Sequence, residues 1–435
     1  MVALTPAPRV HVIGAGVAGL SAAVRLADGG FAVKVHEAAK QAGGRCRSFY
    51  DGTLQATIDN GTHLVLSGNR DLFDFVDRIG AGSAMHMEPR AAFDFVDLSS
   101  DARWCVDLGA GGRGGLPGWL WDRSRQPPGL HALSFARDVW ALRQGAGKTV
   151  AECLDPAAQL YRTFWQPICL AALNTAPAEG AASLLWAVLR DTVLKGGAFA
   201  RPVYAPDGLS AALIDPAVEA LRGRGVEVNF GHRLRILKER EGRIEAIDFG
   251  HFRDVLRPQD AVVLALPDHA AATLMGELGV PLQAPLGSRS ILNVHYRVRP
   301  SCARVRMLGV IGGDIEWLFQ RQNIVSVTVS GAAAWMDKKP GVIAQTLWPE
   351  VSKALGLDGP ALAHRVIKER HATFHATVSA AARRPGSRTA LNNLYVAGDW
   401  TDTGLPASLE SAVRSGRLAA QAVMEDHKNG LTHVA

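Results

Sequence analysis

The chain has 435 residues, 48% of them hydrophobic and 20% charged, with 45 glycines and 22 prolines. These proportions exclude a disordered chain, a collagen-like repeat, a coiled coil and a disulfide-stapled miniprotein, and at about 150 residues per domain they leave room for one or two large domains. Lys+Arg 47 against Asp+Glu 41 leaves a formal charge of +6, which suits an anionic membrane or an acidic ligand, while no basic block is dense enough for nucleic acid.

The five cysteines (Cys46, Cys105, Cys153, Cys169, Cys302) are scattered and form no C-x-x-C pair. That argues against a disulfide framework or a metal site and for a reducing compartment, with each cysteine a small buried apolar residue. Val10 to Val24 lacks Asp, Glu, Lys and Arg, but is too short to span a bilayer at about 20 residues and has no basic n-region. The expectation is a soluble or peripheral protein.

Arg9 to Ile13 reads as a short buried strand running into Gly14-Ala15-Gly16-Val17-Ala18-Gly19. An Ala-rich helix follows through Ala27, then a strand from Ala32 to His36 ending at Glu37. This is strand, G-x-G-x-x-G, helix, strand, acid, at dinucleotide-fold spacing. Gly14 allows the tight turn, Gly16 lets backbone approach a pyrophosphate, and Gly19 lets helix and strand pack closely. The amides at Val17 and Ala18 open the helix and favour an anion. Glu37, 18 residues beyond Gly19 (37 − 19), is placed to accept hydrogen bonds from an adenosine ribose, which favours NAD or FAD over NADP. After Ala38, Gly43-Gly44-Arg45 lets a second loop approach the same pyrophosphate, and Arg45 can add a charge-assisted bond.

On these elements the sequence resembles the flavin amine oxidase and phytoene desaturase superfamily, whose members bind FAD with this G-G-R element. Asp59-Asn60-Gly61-Thr62-His63 follows at the position where the superfamily runs its backbone past the flavin. Residues 76 to 204 carry helical patterning and many tryptophans, with Trp165-Gln166-Pro167 preceding Ala172-Leu173-Asn174-Thr175. Pro206-Asp207-Gly208-Leu209 starts another helical run, followed by Gly225 to Val228 and a hairpin around Glu241-Gly242. The resemblance places Leu234 against the adenine. Ala261 to Leu266 reads as a buried strand. Ile291 to Val298, Glu316 to Gln320 and Ile324 to Ser330 read as an antiparallel sheet, with Leu347, Val351 and Leu355 on one helix face after it. Asn393 to Ala397 is a strand leading into Gly398-Asp399-Trp400, and Pro406-Ala407-Ser408-Leu409-Glu410 opens a helix. In the resembling family the Gly398-Asp399 pair meets the ribityl-phosphate and the helix start at Ala407, Ser408 and Leu409 points at the isoalloxazine. A plain helix cap by Ser408 or Asp399 is the other reading.

The fold expected is α/β: an FAD-binding Rossmann-like domain of the glutathione-reductase type (1–75, 205–275, 390–435) with an interleaved α+β substrate domain (76–204, 276–389), amine-oxidase-like. The W-x-P and A-L-N-T elements and the Pro206-Asp207-Gly208-Leu209 turn are similar to those of the hydroxysqualene dehydroxylases of bacterial hopanoid synthesis, although Thr62 stands where that subgroup usually carries Gln. This resemblance runs from Val10 to about Met424. It implies removal of an allylic hydroxyl from hydroxysqualene to give squalene, with hydride from reduced flavin N5 and the oxygen leaving as water. His63 is the candidate donor to the departing hydroxyl, Asn174 and Thr175 candidates to orient it, and Asp59 a candidate acid. The plainer readings are a histidine bonding backbone or flavin, helix capping by Asn174 and Thr175, and a turn stabilised by Asp59.

A C30 isoprenoid substrate implies a membrane partner, because burying each CH₂ is worth about 0.8 kcal/mol and such a molecule lives in the bilayer. Between 112 and 147, Arg113, Arg123, Arg125, Arg137 and Arg143 outnumber Asp122 and Asp138, with Trp119, Trp121 and Trp140 interleaved. They form either an interfacial patch or a buried Trp cluster with a basic rim. The location expected is the bacterial cytoplasm, peripheral to the inner face of the cytoplasmic membrane, with an external electron donor. Amine oxidase or carotenoid-type desaturase chemistry on the same fold, and a non-redox escort for prenylated lipids, are the rival readings.

Overall fold

The computed structural model describes residues 7–111, 118–282, 287–299 and 306–430, so Arg113 and Cys302 lie outside the described residues. The elements that position the site begin with β1 (Arg9–Ile13), α1 (Val17–Asp28), β2 (Ala32–Glu37), β3 (Ala92–Asp97) and β4 (Arg103–Asp107). The middle contributes α2 (Ala132–Arg143), α3 (Gln166–Leu173), α4 (Ala182–Asp191), β5 (Glu227–Phe230), β6 (Ala261–Leu264), β7 (Ser288–Arg297) and β8 (Arg306–Ile311). Then come β9 (Trp317–Arg321), β10 (Ile324–Val329), α5 (Pro340–Leu355), β11 (Ala363–Phe374), β12 (Leu394–Val396) and α6 (Leu409–Lys428).

Five strands form a parallel sheet in the order β5-β2-β1-β6-β12, with Val10 in register with both Val33 and Ala261. A parallel sheet covered on both faces wants continuous apolar strands, and Ala261–Leu264 is buried at every position. His11 and His36 break that rule, both fully inside. The α1 helix packs against α6, which joins the two ends of the chain on one face of this sheet.

The second sheet has seven strands, β11-β7-β10-β9-β8-β3-β4. Along β7, Leu292, Val294 and Tyr296 point to one face and meet Ile343, Leu347 and Val351 of α5, while Asn293 and His295 point to the other. The helical reading of 76 to 204 needs correction at its start. Strands β3 and β4 lie there and extend this sheet through a parallel pairing of β3 with β8. That pairing joins segments more than 200 residues apart (308 − 94 = 214), so no local pattern marks it. At the opposite edge β11, rich in His, Arg, Lys and Glu, pairs only with β7. Charges there suit an edge that must not recruit another strand.

A helical layer closes the other side. Trp165 is its centre: the ring stacks on Phe135 at 5.4 Å between centroids, and Nε1 donates to Asp138 at 2.9 Å. Pro167 sits in the first turn of α3, where a missing N–H is tolerated. The W-x-P element is thus core architecture.

Candidate active site

The G-x-G-x-x-G loop joins β1 to α1. Gly14 has φ +108° and its N–H donates to His36 O at 2.7 Å; a Cβ on Gly19 would lie 1.9 Å from Gly14 O, so only glycine lets the helix come this close. Gly16, the N-cap, has no atom within 4 Å of where its Cβ would stand, and the first turn of α1 has neither an acidic residue nor a side-chain cap. The amides at Val17 and Ala18 therefore face open space with the positive end of the helix dipole behind them. Glu37 braces the loop, accepting from Ala15 N and Ala39 N, both at 2.8 Å. Two of the roughly four acceptor positions on its carboxylate are so used, leaving others for a ribose diol.

Gly43 N donates to Ala15 O at 2.8 Å, which docks the second loop on the first. From it Arg45 reaches across to Asp399 at 2.7 Å and to Ala372 O; the Asp399 charge holds the guanidinium above its ordinary pKa against burial. The loop from 399 to 405 is organised by Arg384, which sequence reasoning passed over. This buried guanidinium donates to the carbonyls of Asp399 (3.0 Å), Trp400 (3.2 Å), Leu405 (2.6 Å) and Thr401, and burial lowers its pKa to about 10. Ser408 does cap α6, accepting from Ser411 N at 3.1 Å, while Ala407, Ser408 and Leu409 also face the cavity.

These loops open on one cavity of about 970 Å³, at the top of the ~300–1,000 Å³ range of ligand pockets. Of the residues the sequence singles out, Gly14, Gly16, Val17, Ala18, Glu37, Ala38, Gly43, Gly44 and Arg45 line it. So do Asn60, Gly61, Thr62, His63, Asn174, Leu234, Gly398 and Asp399. Gly19 stands behind the wall. The open helix N-terminus, the three docked loops and the braced Glu37 fit a dinucleotide with a pyrophosphate at its middle, and so fit FAD.

The catalytic candidates separate. Asp59 does not line the cavity; its carboxylate accepts from Ser48 Oγ (2.6 Å) and Leu209 N (2.9 Å), tying the hairpin that ends there to the helical run that begins at Ser210. Thr175 is turned inward, its hydroxyl donating to Leu173 O. Asn174 ends α3 in the left-handed conformation (φ +48°) with both amide ends engaged: Nδ2 donates to Thr373 Oγ1 at 3.0 Å and Oδ1 accepts from Gly331 N at 2.8 Å. It holds helix to sheet. His63 faces the cavity, and desolvation pushes its pKa below the ordinary imidazole value, with Asp59 opposing and Arg45 adding to the depression. At neutral pH the ring is uncharged, a hydrogen-bond donor rather than a store of protons.

Two features escaped the sequence reading. The cavity-facing side of the seven-stranded sheet is divided: β3, β8 and β9 present Phe93, Phe95, Met307, Trp317 and Phe319, whereas β7, β10 and β11 present, beside Ile291 and Ala372, the polar Asn293, Ser326, Thr328, Glu369 and Thr373. The alternation in Ile324 to Ser330 is plain in the sequence, but such alternation ordinarily puts the polar side in solvent. Beside the Glu37 end, His11, His36 and His232 form a chain, with ring nitrogens 3.2 and 3.3 Å apart. Burial lowers His11 to about 4 and His36 to about 3, with neighbouring histidines adding to the latter.

The family profile described as flavin containing amine oxidoreductase matches residues 17–103 and 112–424. Hydroxysqualene dehydroxylases from Sinorhizobium fredii and Rhodopseudomonas palustris are 43% and 44% identical, over 96% and 95% of this chain and 98% of each relative. The 15-cis-phytoene desaturase of Solanum lycopersicum matches only 26% of this chain and 21% of its own length, at 27% identity. Among solved structures, cyclohexylamine oxidase from Brevibacterium oxydans superposes with a TM-score of 0.69 at 17% identity, over 97% of this chain and all (100%) of that one. The last of these establishes the fold alone.

Proposed function

This chain belongs to the flavin-containing amine oxidoreductases and, within them, to the hydroxysqualene dehydroxylases, and on that premise we propose that it removes the allylic hydroxyl of hydroxysqualene to give squalene and water, with FAD as cofactor. The observation that carries the reading is the divided wall of the cavity. A hydrocarbon with a single hydroxyl is itself divided in that way. The aromatic half, with Phe164 and Ile168 also lining the cavity, takes the chain and excludes water from the carbon that loses its oxygen. The polar half, beside the loop Asn60 to His63, receives the hydroxyl.

Bound and reduced, FAD supplies the hydride that replaces the hydroxyl. The protein's part is to hold and to shield. Gly14, Gly16, Val17, Ala18, Glu37 and the Gly43 to Arg45 loop hold the pyrophosphate and ribose, and Gly398, Asp399 and the start of α6 hold the flavin half. His63, kept neutral, donates a hydrogen bond without placing a competing cation beside the reacting carbon. A carotenoid-type desaturase reading has only the short partial match behind it. An escort that never used flavin has no call on three loops docked around an anion cradle.

The enzyme works at an anionic membrane, on the inner face of the bacterial cytoplasmic membrane, and takes electrons from an external donor. No described helix is long and apolar enough to cross a bilayer. What supports surface contact is the outer side of α2, where Leu133 (88% exposed), Arg137, Trp140 (59%) and Arg143 follow helical spacing, with Trp121 (64%) nearby in sequence. Trp119 is buried against Phe135, so of the three tryptophans it belongs to the core.

Anaerobic incubation of the photoreduced protein with hydroxysqualene tests the reaction. Squalene should form as the flavin reoxidises; a flavin that stays reduced with no squalene rejects the assignment and leaves the fold untouched.

A further inference from the structure

We propose that Asn293, working with His63, is the residue that recognises the substrate's hydroxyl and so separates substrate from hydrocarbon product; this rests on the dehydroxylase reading above. Asn293 stands on β7, 3% exposed, directly opposite Thr328 on β10. Thr328 Oγ1 donates to Asn293 Oδ1 at 3.1 Å, which anchors the amide. Its Nδ2 is thereby turned to the backbone at Gly61. A Cβ placed on Gly61 would lie 3.3 Å from Asn293 Nδ2 and 3.9 Å from His63 Nε2, so the two nitrogens converge on one point of the cavity wall.

Neither group has another use. Among the described residues nothing accepts a hydrogen bond from Asn293 Nδ2, and none bonds the His63 ring. Both nitrogens open on the cavity, on the polar half of the wall and beside the loop that the flavin superfamily runs past the ring, so a ligand that displaces water there must supply a partner for each. An alcohol hydroxyl satisfies both: its oxygen accepts from Asn293 Nδ2, and it accepts from or donates to His63 Nε2 according to which ring nitrogen carries the proton. The hydrocarbon product satisfies neither. Hydroxyl-dependent binding follows, and with it weaker retention of product, since a site built to bond an OH rejects the analogue that lacks it. Thr328, which also faces the cavity, positions the amide it bonds.

The test is equilibrium binding to the FAD-loaded, oxidised enzyme in detergent micelles, where no turnover occurs. Flavin absorbance is followed as hydroxysqualene or squalene is added. The wild type should bind hydroxysqualene more tightly by about tenfold to a hundredfold, the range expected when one or two buried donors lose a partner. Asn293→Leu should bring that ratio close to one while squalene binding is retained. Thr328→Val should lower it partway and Thr328→Ser should restore it, a pattern that a merely structural role does not produce.

An Asn293→Leu enzyme that keeps its FAD and the wild-type ratio overturns the proposal. If that variant loses FAD, an unchanged ratio in Thr328→Val does so instead. The two readings fail differently. A wild type that yields no squalene on reduction refutes the dehydroxylase reading, whereas one that yields squalene but binds both ligands equally refutes only the role of Asn293.

Discussion

Replacing His11 with Val should flatten the acid side of the protein's stability profile by about 2 kcal/mol. His11 is fully buried on the central strand β1, and burial outweighs the favourable charge of Asp254 to hold its pKa at about 4. In the unfolded chain the ring titrates near 6.5. A histidine whose folded value is the lower one stabilises fully above pH 6.5, and that contribution is lost as pH falls from 6.5 towards 4, because only the unfolded chain takes up the proton. Going from pH 8 to pH 5, linkage with these two values gives a loss of about 2 kcal/mol. His36, held to about 3, adds a similar amount, and at pH 5 neither ring is charged in the folded state, so the repulsion between them does not enter. Val suits a buried parallel strand, and unlike His36 the His11 ring does not line the cavity. Equilibrium urea unfolding at pH 8 and pH 5, with FAD held in excess, measures the effect. The variant should be somewhat weaker at pH 8, since His36 Nε2 loses its partner, and should lose less on acidification. Equal acid sensitivity in wild type and His11→Val would show that the buried histidine chain is not the origin.

Gly19→Val should give a colourless protein or one with little flavin: its Cβ would overlap Gly14 O, and overpacking of about 1–3 kcal/mol falls on the cradle itself. A variant purified with stoichiometric FAD absorbance contradicts this. Binding to anionic liposomes should be salt-sensitive, and Arg137→Gln with Arg143→Gln should weaken it roughly thirtyfold if each arginine contributes about 1 kcal/mol. Equal binding to neutral liposomes, or no binding to either, removes the membrane proposal.

The parts of the site visible in the sequence are those whose physics is local. Gly14, Gly19 and Glu37 act within one βαβ unit, and the loop geometry fixes their spacing. Partnerships across the chain were invisible: Arg45 is written beside two glycines, but its partner Asp399 lies 354 residues away. Arg384 looks like any surface arginine until the loop it organises folds over it. Strand β11 carries no apolar alternation to mark it in the sequence, because an edge strand needs none. Asp59 and Asn174 stood where catalysis could be imagined, but backbone amides and a strand hydroxyl consume their polar atoms. Asn293 was hidden for the opposite reason. A polar residue in an alternating strand is ordinarily facing water, and only the closed cavity shows otherwise.

The strand order of the parallel sheet sets a timetable for synthesis. Strand β1 is complete at Ile13, yet its second neighbour, β6, ends at Leu264, 251 residues later (264 − 13). At about 5–20 residues per second that is roughly ten to fifty seconds in which one edge of the nascent βαβ unit has no partner, the condition under which strand edges find the wrong one. The loop carrying Asp399 and the helix behind it leave the ribosome later still. FAD, whose cradle needs all three loops, therefore meets a chain that is nearly whole, and each molecule passes through a flavin-free form.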